Sequence, residues 1–388
     1  MKIGILTYTR EYANLGTNMQ AYCTLQAIRR AYPGSQVELV DYSPATPPRR
    51  PYLSNLSLRS IKLDYRRFRK YDNFFRNDLS FSREALTTTA VGEALEFIRR
   101  QKYDVIYVGS DTVLEIKSDG QDGITPYWLD SSIPATKILA AASSFNVTFE
   151  TLSTHQQSLI QRSIDGFALL GVRDDATFRL LSRFTAPGDQ RLQMVPDPTF
   201  TYAIDYSHIE RYIAKYNLRF SRPLVCLHLL RDSYWAADIG TAFRKAGYIV
   251  ASLRPARYAD VIFTDLSPFE QMGLYRYFSL VVTHRFHDVI FCLKNLTPVV
   301  AFPPQVSDVT SHSESKIRSL LKVFGVEATS YISNKEEVSA ESLVDRYPSA
   351  ISQFENARPR IISLLDEQKE KYQQFIYKSR RLVEAERR

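Results

Sequence analysis

At 388 residues, 44% hydrophobic and 24% charged, the chain is long for one core and comfortable for two domains, and disorder is not its default. No apolar run approaches the roughly 20 residues that span a bilayer, and MKIGILTYTREY lacks the apolar core of a signal peptide. The net charge of +8 sits mostly between Arg49 and Arg83, where ten Lys/Arg face three Asp.

Short apolar runs alternate with longer mixed segments, the pattern of parallel strands separated by helices. In the first half the expected strands are Lys2–Tyr8, Gln36–Tyr42, Tyr103–Val108, Lys137–Ala142 and Phe167–Val172. Runs such as Val105-Ile106-Tyr107-Val108 suit strands buried on both faces. Thr17–Ala31 reads as a helix with Met19, Cys23 and Ala27 on one stripe and Thr17 or Asn18 as its cap. Within the basic segment, Ile61, Tyr65, Phe68 and Phe75 form a helical stripe among Arg and Lys.

A second alternating set follows Pro196-Asp197-Pro198, with strands at Pro223–Leu230, Tyr248–Leu253, Ser279–Thr283 and Thr297–Phe302. From Ala357 to Arg388 the tail reads as helix, with Ile361, Leu365, Tyr372 and Phe375 available to pack. The expectation is an α/β chain of two doubly wound halves with a closing C-terminal helix. Their bounds are 1–204, carrying a basic insertion at 49–83, then 205–345, then a helical extension at 346–388. Ligands of such halves sit at strand carboxyl ends, in the cleft between them. Cys23, Cys226 and Cys292 are far apart, odd in number and set among apolar residues, which predicts reduced core thiols and a cytoplasmic setting.

Phosphate loops, nucleophile elbows, dinucleotide fingerprints and zinc-spaced Cys/His sets are missing. Asp119-Gly-Gln-Asp122-Gly lacks the remaining ligands of a calcium loop, so no metal is expected. Four strand ends carry polar residues instead. TYTREYANLGTNMQ, with Asn14, Gly16 and Thr17, leads into a helix whose N-terminus suits a phosphate, or is a plain capped turn. Gly109-Ser110-Asp111 offers close backbone approach and a carboxylate for a sugar hydroxyl, or a helix cap. Arg173 can fork a carboxylate or phosphate, or pair with Asp174 or Asp175. Thr283-His284-Arg285-Phe286-His287-Asp288 concentrates two of the six histidines beside an arginine, where imidazoles transfer protons near neutrality. The bland alternative there is a His287–Asp288 pair.

Taken in order, these segments resemble the polysaccharide pyruvyl transferase family. The carriers are KIGILTYTREYANLGTNMQAYCTLQAI, YDVIYVGSDTV, KILAAASSF, GVRDD, VPDPTF and VVTHRFHDV with the following PVVAF. The resemblance implies a GT-B-like arrangement of two Rossmann-like domains with an interdomain cleft. It implies transfer of pyruvate from phosphoenolpyruvate to a saccharide acceptor, usually as a cyclic ketal, with no cofactor or metal. The family's Arg-x-His falls on Arg285 and His287, its Val-Arg-Asp arginine on Arg173 and its Gly-Ser-Asp carboxylate on Asp111. Departures stand at Asp288, where glycine is usual, at Thr112 and at Leu114.

On that basis His287 is the expected acid and Asp111 the base or hydroxyl orienter, with His284 a substitute for either. Arg285, Arg173, Gly16 and Thr17 are expected at the donor, and Ser110 and Asn14 at the acceptor. The basic arm either packs its aromatic stripe or lies on an anionic membrane near a lipid-linked acceptor; no nucleic-acid module accompanies it. Competing readings are a nucleotide-sugar glycosyltransferase and a non-catalytic subunit of the same fold.

Overall fold

Uninterrupted apolar runs make strands that need cover on both faces, and in the computed structural model they form two wholly parallel sheets. The structure describes residues 1–12, 14–44, 58–116, 123–145, 147–229, 234–302, 316–333 and 339–387, without the side chains of 58–62, 64 and 234. The calcium-loop-like residues Asp119 to Asp122 lie outside this set.

The first sheet comprises β1 (Lys2–Leu6), β2 (Gln36–Ser43), β3 (Phe81–Thr87), β4 (Val105–Val108), β5 (Thr136–Ala142), β6 (Phe167–Val172) and β7 (Leu192–Met194). Their order is β3-β2-β1-β4-β5-β6-β7. The second comprises β8 (Leu224–His228), β9 (Ile249–Ser252), β10 (Val261–Ile262), β11 (Leu280–Thr283) and β12 (Val299–Ala301), ordered β10-β9-β8-β11-β12. The helices are α1 (Leu15–Ala31), α2 (Leu58–Asn77), α3 (Val91–Arg100), α4 (Thr154–Asp165), α5 (Asp175–Leu181) and α6 (Ser207–Lys215). They continue with α7 (Tyr234–Lys245), α8 (Pro268–Leu274), α9 (Phe286–Lys294), α10 (Lys316–Phe324), α11 (Glu327–Ser330) and α12 (Ala340–Glu386).

All nine expected strands are present, shortened or shifted by a few residues at their ends. β3, β7 and β10 were not expected, because FSREALT, LQM and VI carry too little continuous apolar sequence. Each sheet has the doubly wound order, with the order of strand addition reversing between β1 and β4 in one and between β8 and β11 in the other. Those reversals are where such sheets bind ligands, beyond the strands' carboxyl ends. Leu6 stands opposite Val108 at the first, and His228 opposite Thr283 at the second.

By contact the chain divides into two units, Met1–Tyr52 with Asp72–Tyr202 and Gln368–Arg388, and Leu53–Tyr71 with Ala203–Glu367. The first core packs Leu6, Val108, Leu139 and Val172 from adjacent strands with Trp128, Ile160 and Ile164. The second packs Val225, Leu227, Val250 and Val282 with Phe243, Phe302 and Tyr347. Cys23, Cys226 and Cys292 are buried free thiols, as expected.

Three local expectations are corrected. Asn14, not Thr17 or Asn18, caps α1, its Oδ1 accepting from Thr17 N–H at 3.4 Å, which puts Gly16 inside the first turn. α12 begins well before Ala357 and runs through Pro348 and Pro359. Of its expected packing residues, Ile361, Tyr372 and Phe375 are buried and Leu365 is intermediate. On α2, Tyr65 and Phe68 are exposed (59% and 45%), whereas Tyr71, Phe74 and Phe75 are buried. The buried set is spaced by three and one, so the inward face lies toward the helix's C-terminal half. No described helix is long and apolar enough to cross a membrane.

Gly171 in β6 shows how tightly the first unit is filled. A Cβ there would stand 2.6 Å from Phe375 Cζ, 2.9 Å from the Leu139 carbonyl oxygen and 2.9 Å from Val195 Cγ2. One of the three neighbours is backbone, so ring movement alone does not make room. Gly171→Ala should lower stability by about 1–3 kcal/mol, the usual cost of overpacking. Urea unfolding reads this, and an unchanged midpoint would contradict the packing described.

Candidate functional site

In the first unit, the ends of β1, β4 and β6 converge on a buried polar network. Thr7 Oγ1 donates to the Ser110 carbonyl at 2.9 Å and accepts from Gln20 Nε2 at 2.9 Å. Ser110 Oγ in turn donates to Gln20 Oε1 at 2.5 Å. Ser110 is fully buried, so its hydroxyl acts inside this network. Gln20, one helical turn into α1, ties strand ends to helix; its only sequence signal is a polar residue within the α1 segment.

Arg173 follows β6 and is nearly inaccessible. Its Nη1 donates to Asp197 Oδ2 at 2.7 Å and its Nη2 to Asp111 Oδ1 at 3.2 Å. These partners replace the Asp174 or Asp175 pairing weighed from sequence; Asp174 instead caps α5 by accepting from Thr177 N–H at 2.8 Å. Asp111 Oδ1 also accepts from Thr112 N–H at 2.8 Å, and Oδ2 accepts from Thr17 Oγ1 at 3.0 Å. Asp111 therefore starts no helix: it follows β4 with φ 82° and bridges to Ala142. Burial alone would favour discharging Arg173, but Asp111, Asp197 and Asp174 hold its guanidinium charged. An anion approaching it competes with two carboxylates already in place.

In the second unit the ends of β8 and β11 carry a different set. Asp288, on the first turn of α9, is fully enclosed and does not pair with His287. Its Oδ2 meets His228 Nδ1 at 2.7 Å and accepts from Thr283 Oγ1 at 2.7 Å, while Oδ1 accepts from Tyr275 OH at 2.8 Å. Thr283 Oγ1 also accepts from Arg285 N–H at 3.1 Å, fixing the turn into α9. Burial would raise the Asp288 carboxyl, but His228, Arg285 and the Thr283 hydroxyl outweigh it and hold it well below the usual range. Burial lowers His228, against the pull of Asp288. Burial thus disfavours a second proton on the imidazole beside this carboxylate. His228 was read only as part of a strand; its signal is one imidazole inside LVCLHLL.

Arg285 and His287 sit at the start of α9, both half-buried. The His287 ring stacks on Phe291, with centroids 6.1 Å apart, and meets Phe286 edge-on. This places Arg285 at the N-terminus of α9, the positive end of the helix dipole, a setting that attracts anions. His284 is lowered to about 3 by burial and then by neighbouring His228, and its Nε2 is enclosed without a hydrogen-bond partner among the described residues. Among the described residues no group of three or more His, Cys, Asp or Glu is arranged to hold a metal.

The structure thus gathers Asn14, Gly16, Thr17, Ser110, Asp111 and Arg173 at one strand reversal. It gathers His284, Arg285 and His287 at the other, adding Gln20 and Asp197 to the first set and His228, Tyr275 and Thr283 to the second.

His284 makes a pH test available. Unfolded, a histidine takes a proton below about pH 6.5; folded, this one resists until about 3. The unfolded chain binds more protons in that window, so stability falls as pH drops through it. The charged or titrating neighbours are His228, Asp288, Arg285 and Arg254. His284→Gln should therefore lose less Tm than the parent between about pH 7 and pH 4.5. Equal losses would mean that His284 is not held neutral by the fold.

A family model described as polysaccharide pyruvyl transferase matches residues 14–305. A sequence comparison with curated proteins finds no match. Among solved structures the chain is similar to a glycosyltransferase from Rickettsia africae (TM-score 0.53, 9% identity, 98% of each chain covered). It is similar also to UDP-GlcNAc 2-epimerase from Methanocaldococcus jannaschii (TM-score 0.52, 11% identity, 91% of this chain and 92% of that one). A third is the Anabaena HepE protein in complex with UDP (TM-score 0.50, 11% identity, 98% of each chain). At such identities the likeness is one of fold, two Rossmann-like α/β units of the GT-B-like class.

Proposed function

Because the chain belongs to the polysaccharide pyruvyl transferase family, we propose that it moves pyruvate from phosphoenolpyruvate to a saccharide, forming a cyclic ketal during cell-surface polysaccharide synthesis. The observation that carries this reading is Arg285 at the N-terminus of α9, between two imidazoles, at the strand reversal of the second sheet. Phosphoenolpyruvate puts a carboxylate and a phosphate on three carbons. A guanidinium and a helix N-terminus are two positive elements suited to such an anion.

In this proposal Arg285 holds the donor and His287 protonates its methylene carbon. A sugar hydroxyl then attacks the resulting oxocarbenium-like centre and phosphate departs, its charge offset by Arg285. In the first unit, Arg173, engaged by Asp111 and Asp197, keeps the Asp111 carboxylate in place. A nucleotide sugar is the rival donor, in view of the UDP in the HepE structure.

Incubated with phosphoenolpyruvate and surface-glycan acceptors, the protein should release phosphate and add a pyruvyl mass to the glycan. Arg285→Ala should reduce kcat/KM for the donor roughly 10²-fold, and His287→Ala should reduce kcat on the order of 10²–10⁴-fold. Stabilisation by UDP-sugars but not by phosphoenolpyruvate in thermal unfolding would reject this donor.

We also propose that α2 contacts an anionic membrane beside a lipid-linked acceptor. Exposed Tyr65 and Phe68 stand next to exposed Arg66 and Arg69, which joins apolar insertion to positive charge. Each cation near an anionic leaflet is worth about 1 kcal/mol. Sedimentation with phosphatidylglycerol vesicles, but not phosphatidylcholine vesicles, should carry the protein down and weaken when Arg66 and Arg69 become Ser. Equal recovery with both vesicle types would refute the contact.

A further inference from the structure

Among the described residues the ring of His228, 5% exposed, is anchored through Nδ1. Nδ1 lies 2.7 Å from Asp288 Oδ2, and an ionised carboxylate offers no proton, so the hydrogen of that contact belongs to Nδ1. A neutral imidazole with hydrogen on Nδ1 carries its lone pair on Nε2. Asp288 is itself fixed by the Tyr275 and Thr283 hydroxyls, so the ring has little freedom to turn. The hydrogen bond that the ring makes to described residues runs through Nδ1. His228 closes β8 directly opposite Thr283, where the chain enters His284, Arg285 and His287. Strand-end position, fixed tautomer and buried carboxylate together make the arrangement of a general base.

We infer that His228 Nε2 takes the proton of the saccharide hydroxyl that attacks the donor carbon, with Asp288 as the residue that fixes its tautomer and steadies the imidazolium formed. This rests on the pyruvyl-transfer reading above and assigns a residue which that reading lacks. The proton count closes. His287 gives one proton to the methylene carbon, which becomes a methyl group, and the first hydroxyl oxygen bonds to the central carbon as its proton passes to His228. The carbon–oxygen bond to phosphate breaks, and His228 returns the proton to the departing phosphate, which leaves as hydrogen phosphate. The second hydroxyl then closes the ring, and its proton restores His287.

The groups that bear on His228 are Asp288 from α9, Tyr275 ahead of β11, His284 and Arg285 from the following turn, Arg254 after β9, and Cys226 and Cys292 beside the carboxylate. Burial acts first to lower the imidazole, which keeps it an acceptor near neutrality. The pH profile of kcat should therefore fall on its acid side as His228 protonates.

The full-length protein, assayed with phosphoenolpyruvate and its glycan, decides the matter. His228→Gln, close in volume and unable to accept and return a proton, should lose on the order of 10²–10⁴-fold in kcat, with KM for phosphoenolpyruvate within about threefold and the acid limb flattened. Asp288→Asn, whose side-chain amide can donate to Nδ1, should move the hydrogen to Nε2, visible in the nitrogen-15 shifts of His228, with a comparable loss in kcat. If Asp288→Asn does not fold, His228→Gln and the nitrogen shifts of the parent protein carry the test. Parent activity retained in His228→Gln, or an Nε2–H tautomer in the parent, overturns the assignment. A parent that transfers no pyruvate to any glycan overturns the donor reading instead, while the tautomer measurement still reports on the His228–Asp288 pair.

Discussion

A carboxylate withdrawn from water survives only where donors surround it, and Asp288 has three: the His228 ring, the Thr283 hydroxyl and the Tyr275 hydroxyl. Each comes from a different piece of the second unit: the end of β8, the end of β11 and the turn preceding β11. Their convergence sets the angle at which β11 enters α9. It therefore sets where Arg285 and His287 stand. The backbone N–H of Arg285 reaches the same Thr283 oxygen, so the turn and the carboxylate form one hydrogen-bonded object. The turn that carries this arginine is thus placed by buried chemistry.

The two strand reversals have opposite electrostatic characters. In the first unit, Arg173 sits between Asp111 and Asp197, a cation enclosed by two anions with nearly all of their lone pairs directed at named donors. Such a cluster is rigid and negative in balance, which suits neutral hydroxyls more than phosphate. In the second unit the enclosed anion is accompanied by a guanidinium and the neutral His284 imidazole at a helix start. A small trianion is better matched to that end. The same doubly wound order thus yields two chemically different strand ends, and the difference is written in which side chains follow the last apolar residue.

Much of this was legible in the sequence because parallel strands buried on both faces leave long apolar signatures. Nine strands follow from such runs, and the polar residues that end them fall at the carboxyl edges that the topology later makes important. What stayed hidden has a physical cause in each instance. β3 alternates poorly and β10 is two residues long, so neither produces a signature. Gln20 looks like any polar residue on a helix until Thr7 and Ser110 are brought to it from strand ends remote in sequence. The Arg173 partners are likewise remote: Asp111 and Asp197 lie 62 and 24 residues away, while nearby Asp174 turns to cap its own helix. Local spacing suggests the neighbour; only the fold selects the distant acid.

Asp288 carries the last step of this reasoning. The family resemblance leads to an expectation of glycine there, and from sequence the aspartate looks like decay of a site. A glycine makes no demand on its surroundings, whereas a buried aspartate is intolerable without partners. The chain supplies all three, and it supplies a histidine as one of them rather than an asparagine or another hydroxyl. Were the site decaying, the cheapest accommodation of a carboxylate would be exposure to solvent or loss of charge. Instead Asp288 is 3% exposed, ionised and aligned on an imidazole at the mouth of a parallel strand. A change that needs several coordinated donors to be tolerable, and has them, is built into this fold rather than left exposed at its surface.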